Sequence, residues 1–326
     1  MSPASVAAEA LAPRWQGQPG RVEVYYVTLD DPATGLGVWV HHELVAPLDG
    51  PPYVHGWAAV FLSDAPPVTE RFGPVTLDPG AGIPSAPREW PGAWVTLDPP
   101  AVVAGQAGRL EWELHADDPG DAGEVLPLYT FPRWAWDKEA LPAAQIVPVP
   151  NARIRGVVAV DGAPVTLSPE ARGAVAHIYG HGNAKQWGWL HADLGGGDVL
   201  EVVTATSRRP GLDRLPPLAF VQLRARGRDW PRDPLVAAPL FRTRLGLPAW
   251  SVRGTVGRWR LRAEVTIAPE ASVALSYTDP DGATATCTNS ERADAEIVLE
   301  HRRARWEVAA TWTLRGRAHA EVGTRP

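Results

Sequence analysis

The sequence predicts an all-β protein, a sandwich or barrel of short antiparallel strands, and three observations carry that prediction. Apolar and polar residues alternate with period two along most of the chain, and the 3.6-residue helical period is scarce. Thirty-four prolines and thirty-one glycines among 326 residues break the chain into short pieces, because proline interrupts helices and central strands and glycine favours turns. The apolar runs are flanked by turn residues at close intervals, as a sheet of many short strands requires.

RVEVYYVTL (21–29) and LGVWVHHELV (36–45) read as two strands, and DDPATG between them supplies the turn through Pro32 and Gly35. On the second strand Trp39, His41 and Glu43 share one face, and Val38, Val40, His42 and Leu44 share the other. A proline-rich passage follows over 46–102, with the apolar run GWAAVFL inside it. RLEWELHA (109–116) and RIRGVVAVDG (153–162) continue the strands, and VPVPNARIRG marks the crossing between two halves, 1–165 and 166–326. QWGWLHADL, GGG and DVLEVVTATSR form a hairpin by their turn chemistry. PLAFVQLRARG, RWRLRAEVTI, SVALSYTDPDGATATCTNS and AEIVLEHRRARWEVAATWTLRG complete an antiparallel meander. An aromatic strand, a glycine turn and an apolar strand occur near residue 25 and again near 187, as a repeat would give.

Composition narrows the class. Hydrophobic residues at 45% and charged residues at 21% support a full core. The formal charge of −6 is spread along the chain, which excludes the concentrated basic face of a nucleic-acid binder. Cys287 is the only cysteine, so there is no intrachain disulfide and no thiolate metal cluster. The start MSPASVAAEALAPRWQG has no basic n-region and no long apolar run, and no stretch reaches the length of a transmembrane segment. A cytoplasmic location is expected, and the oligomeric state is open. Fifteen tryptophans are the anomaly. They suit a core or the wall of a pocket for a large apolar ligand.

The richest stretch is AHIYGHGNAKQWGWLHADLGGGDVLEVV (176–203). Extended as a strand, it places Lys185, Trp187, Trp189, His191 and Asp193 on one face, with Gln186, Gly188, Leu190, Ala192 and Leu194 on the other. Tryptophans beside ionisable groups suit the wall of a cavity in which protons move. A three-residue loop at Gly195–Gly197 would set His191 across from Glu201 and Trp187 across from Ala205, whereas a two-residue loop would set His191 across from Leu200. Just before, His177, Tyr179 and His181 join the same face if the strand reaches back that far, although Gly180 and Gly182 are placed to end it. Imidazoles at alternate positions can ligate zinc, but no further ligand cluster accompanies them, so no metal is expected. His41, His42 and His55 are candidates to face a pocket in the N-terminal half. Trp134 and Trp136, with Arg133 or Asp137 as a polar tip, are candidates for a wall or for core packing. GGGD lacks the lysine of a phosphate loop, and neither a G-x-S-x-G elbow nor an H-E-x-x-H helix is present.

VEVYYVTLDDPATGLGVWVHHELV, VVAVDGAPVTLSPEARGAVAHIYG with QWGWLH, and YTDPDGATATCTNS together resemble the two-domain lipocalin-like proteins that include carotenoid hydratases of the hydroxyneurosporene synthase type and tocopherol cyclase relatives. The resemblance spans almost the whole chain and maps onto His177, Tyr179 and Gly180, then Trp187, Trp189 and His191. Tyr179 stands where the family pattern has tryptophan. It implies two lipocalin-like β-barrel or sandwich domains packed together, 1–165 and 166–326, that bind an isoprenoid, polyene or lipid-like molecule. It also implies, for an enzyme, cofactor-free hydration (a lyase), cyclisation or isomerisation by acid chemistry. The catalytic candidates are His177 or His191 as acid, with Asp193 or Glu201 as its partner. Tyr179, His181, Lys185, Trp187, Trp189, Trp39 and His41 are the candidates for ligand contact. A non-catalytic carrier, and a β-sandwich interaction module with tryptophans in its core, are the two alternatives.

Overall fold

The computed structural model describes residues 9–78, 80, 82–83, 90, 102–117, 127–130 and 143–326. Trp134, Trp136, Arg133 and Asp137 lie outside the described residues. The fold is all-β, as the alternation predicts: among the described residues, two ten-stranded antiparallel sheets account for the architecture. The chain divides into two compact units, one of residues 1–129, 135–182 and 278–283, the other of 130–134, 183–277 and 284–326.

The first sheet comprises β1 (Arg21–Asp31), β2 (Leu36–Ala46), β3 (Tyr53–Phe61), β4 (Val68–Thr76), β5 (Val102–Ala107), β6 (Leu110–Ala116), β7 (Leu128–Tyr129), β8 (Ala143–Val160), β9 (Ala163–Thr166) and β10 (Arg172–Gly180). Its order is β4-β3-β2-β1-β10-β8-β6-β5, with β7 and β9 paired to β8. The second comprises β11 (Gln186–Gly195), β12 (Asp198–Thr206), β13 (Leu218–Ala225), β14 (Arg228–Trp230), β15 (Phe241–Arg244), β16 (Ala249–Val256), β17 (Trp259–Thr266), β18 (Val273–Thr278), β19 (Thr284–Arg302) and β20 (Trp306–Thr324). Its order is β14-β13-β12-β11-β20-β19-β17-β16-β15, with β18 on β19. The two share one plan: the first strand lies between the second and the last, and a strand of 18 or 19 residues follows the last one across the sheet. The echo between residues 25 and 187 is this shared plan, with β1 and β11 in equivalent places.

VPVPNARIRG lies inside β8, which runs straight through Pro148 and Pro150. Proline has no N–H to give to a ladder. The pairing of β8 with β10 accordingly shifts register between Val175↔Val149 and His177↔Ile146, so Pro148 falls at a bulge.

Two kinds of strand are distinguished by burial. β17 alternates between buried and open positions, one face to the core and one to water. β2 is buried at all eleven positions, and β1 at all but Arg21. A strand buried on both faces must satisfy whatever polar groups both faces carry. In the second sheet one face holds the apolar core, with Leu190, Leu200, Val202, Val221, Leu261, Ile297 and Ala320. The opposite face of the same central strands carries His191, Glu201, Gln222 and His319, also buried. That second, enclosed face carries the buried ionisable residues of these strands.

Candidate functional site

On β11 the alternation works as read. Leu190 and Ala192 enter the core, and Trp189 and His191 occupy the other face. The register is that of the three-residue-loop reading, with His191↔Glu201 and Trp187↔Ala205. It is reached through a bulge: Gly195 pairs with Asp198 after a shift following Asp193. Gly195, Gly196 and Gly197 all have positive φ (83°, 64° and 86°), a run that side chains would strain. The glycine triplet permits the tight turn, and the bulge before it sets the register in which Glu201 meets His191.

Four adjacent strands place Gln222, Glu201, His191 and His319 in one row, each no more than 5% exposed. Glu201 Oε2 lies 2.8 Å from His191 Nδ1, and Trp189 Nε1 donates to Glu201 Oε1 at 2.7 Å. A carboxylate accepting from two N–H groups holds the imidazole with Nδ1 protonated. Nε2 is then the ring nitrogen available for proton exchange. The His319 ring lies 5.7 Å from that of His191, and its Nδ1 bonds Glu291. In the next row Trp187 Nε1 donates to Glu321 Oε1 at 2.7 Å. Burial raises the Glu321 carboxyl above its ordinary range, against the lowering effect of its hydrogen bonds with Trp187, Cys287 and Asn289. Burial likewise raises the thiol of Cys287, which is 0% exposed. The indole of Trp187 lies flat over Gly323, where a Cβ would come within 2.0 Å of it. The absence of a side chain there is what lets the ring lie down.

The other sequence candidates are distributed differently. Asp193 does not pair with His191; it accepts from Gly195 N at 2.9 Å and shapes the turn. Lys185 is a half-exposed surface residue that pairs with Asp213 at 3.0 Å. His181 lies past the end of β10 and meets Arg21 at 3.0 Å. His177 is fully buried on β10, in the N-terminal unit. Its Nδ1 lies 2.8 Å from the Ala10 carbonyl and its Nε2 2.8 Å from Glu23 Oε1, with Tyr25 stacked at 4.2 Å. A carbonyl only accepts, so Nδ1 carries a proton, and one further proton lies between Nε2 and Glu23. Glu23 also accepts from the backbone N–H of Arg14 and Trp15. Both nitrogens of His177 are thereby engaged in tying residues 10–15 to the sheet. Tyr179, buried, pairs with Glu23 across β1.

Trp39 and His41 belong to a second polar group, on the first sheet. His41 Nε2 lies 3.4 Å and His55 Nε2 3.5 Å from Glu43 Oε2. Trp57 packs on both histidines, at 5.5 Å and 4.8 Å. Burial lowers His41 to about 3 and His55 to about 4 and raises Glu43 to about 7. The grouping of Trp39, His41 and Glu43 on one face of β2 pointed to this group; the distances to His55 and Trp57 depend on the pairing of β2 with β3. His319 and Glu291 left no local signal, since they lie 128 and 100 residues from His191 along the chain. Among the described residues no group of three or more His, Cys, Asp or Glu side chains is arranged to hold a metal ion, and no helix is long and apolar enough to cross a membrane.

Fold and site together describe an all-β protein of two similarly ordered sheets, each carrying buried histidines and carboxylates beside tryptophans. The chain belongs to the tocopherol cyclase-like family, whose model matches residues 135–324. It is 50% identical to the uncharacterized protein Rv0493c of Mycobacterium tuberculosis, over 97% of this chain and 90% of the relative. Among solved structures it is similar to CghA in complex with Sch210972, with a TM-score of 0.61 and 14% identity, over 94% of this chain and 88% of that one. It is also similar to kievitone hydratase from Nectria haematococca, with a TM-score of 0.57 and 10% identity, over 95% of this chain and 91% of that one. At these identities the likeness to solved structures concerns the fold.

Proposed function

We propose that the protein binds a hydrophobic isoprenoid, polyene or lipid-like molecule and transforms it by cofactor-free acid–base chemistry, as a hydratase (lyase), cyclase or isomerase of the cytoplasm. The observation that carries this reading is the buried row His191–Glu201–Trp189. A dry imidazole–carboxylate pair is costly to enclose, and such groups concentrate where protons are moved. Family membership and the small-molecule chemistry named for the two structural neighbours, a hydratase and a complex with Sch210972, support the same class. In this reading Glu201 orients His191, and Nε2 of His191 exchanges the proton. Trp187 and Trp189 supply apolar wall, and an aromatic face stabilises a developing cation by about 0.5–2 kcal/mol. His177 is the weaker candidate for the acid, because both its nitrogens are engaged.

The test begins with mass spectrometry of an organic extract from the protein purified out of its own cells. A stoichiometric apolar molecule is the expected finding and becomes the turnover probe. His191→Ala should then lower turnover by about 10²–10⁴-fold while leaving binding within a few fold. Unchanged turnover would remove His191 from the mechanism. Binding without turnover in the native protein would make it a carrier. An empty extract with no quenching of tryptophan fluorescence by polyenes would favour an interaction module.

A further inference from the structure

We propose that Glu43, held between His41 and His55, is the acid–base group of a second site, on the first sheet, that shifts a proton beside the carbonyl of an apolar ketone. Only the apolar character of this substrate rests on the function proposed above; the chemistry rests on the geometry of the first sheet.

The hydrogen bonds fix the protonation pattern. Arg71 Nη2 lies 3.4 Å from His55 Nδ1. A guanidinium only donates, so Nδ1 accepts and the proton of a neutral His55 sits on Nε2. Nε2 lies 3.5 Å from Glu43 Oε2, close to the carboxyl but without hydrogen-bond geometry. His41 Nε2 approaches the same oxygen at 3.4 Å. The carboxyl thus has the His55 N–H beside it, not spent on it, and the neutral His41 ring in contact with the same oxygen. Burial is the main cause of its raised pKa; the charge of Asp279 adds to it, while His55 and Arg71 oppose it. Near neutrality both forms of Glu43 are populated, the condition under which one carboxyl removes a proton and gives it back. His41 and His55 stay neutral, lowered by burial, and Tyr53 beside His55 is held in its phenol form, mainly by burial.

The surroundings select the substrate class. Trp39 stands 4.8 Å from His41, and Trp57 lies against both histidines. Glu43, His55, Trp39, Trp57 and Tyr26 are all nine-tenths buried or more, surroundings that suit the apolar substrate taken from the function proposed above. Arg71 also lies over the Trp57 ring, at 5.4 Å. A permanent cation at that distance opposes a carbocation and favours negative charge. The intermediate that fits is an enolate. Glu43 carboxylate takes a proton from the carbon next to the carbonyl, and the C–H pair moves into the C–C bond as the carbonyl pair moves to oxygen. The His55 N–H and Arg71 stabilise that oxygen, and Glu43, now the acid, returns a proton to the same carbon or to a conjugated one. The product has the formula of the substrate, and nothing else is consumed.

The experiment uses the full chain and 2-tetralone, an apolar ketone with acidic α-hydrogens. Deuterium uptake from D2O at its α-carbons is followed by mass spectrometry against buffer alone. The wild type should exchange above buffer, at a rate that rises with pH through about 7 and then levels, because the carboxylate is the base. Glu43→Gln should lower the protein-dependent rate by about a hundredfold or more. Glu43→Asp, which keeps a carboxyl, should retain part of it with a displaced pH limb. His191→Ala should exchange at the wild-type rate. Wild-type exchange no faster than buffer overturns the proposal, as does a folded Glu43→Gln that exchanges like the wild type. Should Glu43→Gln not fold, a wild-type rate and pH limb in Glu43→Asp overturns it equally. Loss of exchange in His191→Ala also overturns it, by assigning the exchange to the second sheet. Exchange at Glu43 beside an empty cellular extract would leave this site standing and remove only the function proposed above.

Discussion

Replacing Glu201 by alanine is expected to cost the fold about 3–5 kcal/mol, read as a lower urea midpoint with little change in slope. Glu201 is 0% exposed and receives both Trp189 Nε1–H and the His191 ring. Alanine removes the acceptor and leaves two buried donors without it. Glutamine separates charge from hydrogen bonding. Its carbonyl oxygen still accepts from Trp189, so most stability should return, while the negative charge beside His191 is lost. Recovery of stability without recovery of turnover would show that the charge of Glu201 serves chemistry. An alanine variant as stable as the parent would show that the row is neither dry nor cooperative.

Acid is expected to destabilise the protein well before its surface carboxylates titrate. Burial holds His41 and His42 at about 3 and His55 at about 4, below their ordinary 6.5. The unfolded chain therefore binds three protons, between pH 6.5 and about 4, that the folded chain refuses, and stability falls as pH falls through that window. Glu43 acts in the opposite sense. Its folded value of about 7 exceeds the ordinary 4.5, so the folded state gains a proton between pH 7 and 4.5 that the unfolded state lacks. Against Glu43 alone the three histidines prevail; Glu321, also raised by burial, acts in the same sense as Glu43 and lessens the fall. The balance of the histidines against Glu43 between pH 7 and pH 5 is a loss of about 3 kcal/mol, since each tenfold difference in proton affinity between the folded and unfolded chain is worth about 1.4 kcal/mol. Urea midpoints measured at pH 7, 6 and 5 should fall progressively, and His42→Gln should flatten the fall by about a third of the histidine share. A midpoint that is level or rises toward pH 5 would mean that these rings are hydrated or charged in the folded state.

Much of this was legible in the residues themselves. The alternation in LGVWVHHELV placed His41 and Glu43 on one face and His42 on the other, and the structure keeps that division: His42 packs against Phe72, away from Glu43. The GGG hairpin was legible as a hairpin but not in register, because a bulge after Asp193 moves the pairing by one residue and nothing in the triplet dictates it. VPVPNARIRG read as the crossing between two halves, and β8 passes through its Pro148 and Pro150, since a bulge removes the need for the missing N–H. The partners of the buried histidines were the least legible. Glu23 meets His177 across 154 residues and Glu291 meets His319 across 28; strand order and bulges decide such meetings, and periodicity has no access to either.

Cys287 supplies the chain with its own clock. The single thiol sits on β19 at 0% exposure, hydrogen-bonded to Glu321 and raised by burial far above the range where thiolates form. Alkylating reagents attack the thiolate, so they should meet essentially none in the closed protein. Each labelling event would then time an excursion in which β19 parts from β20, the partner of Cys287 at Gly323. Labelling that keeps pace with global unfolding in urea would make that seam part of the last structure to yield. Faster labelling would identify the edge of the His191 row as the place where the sheet first breathes.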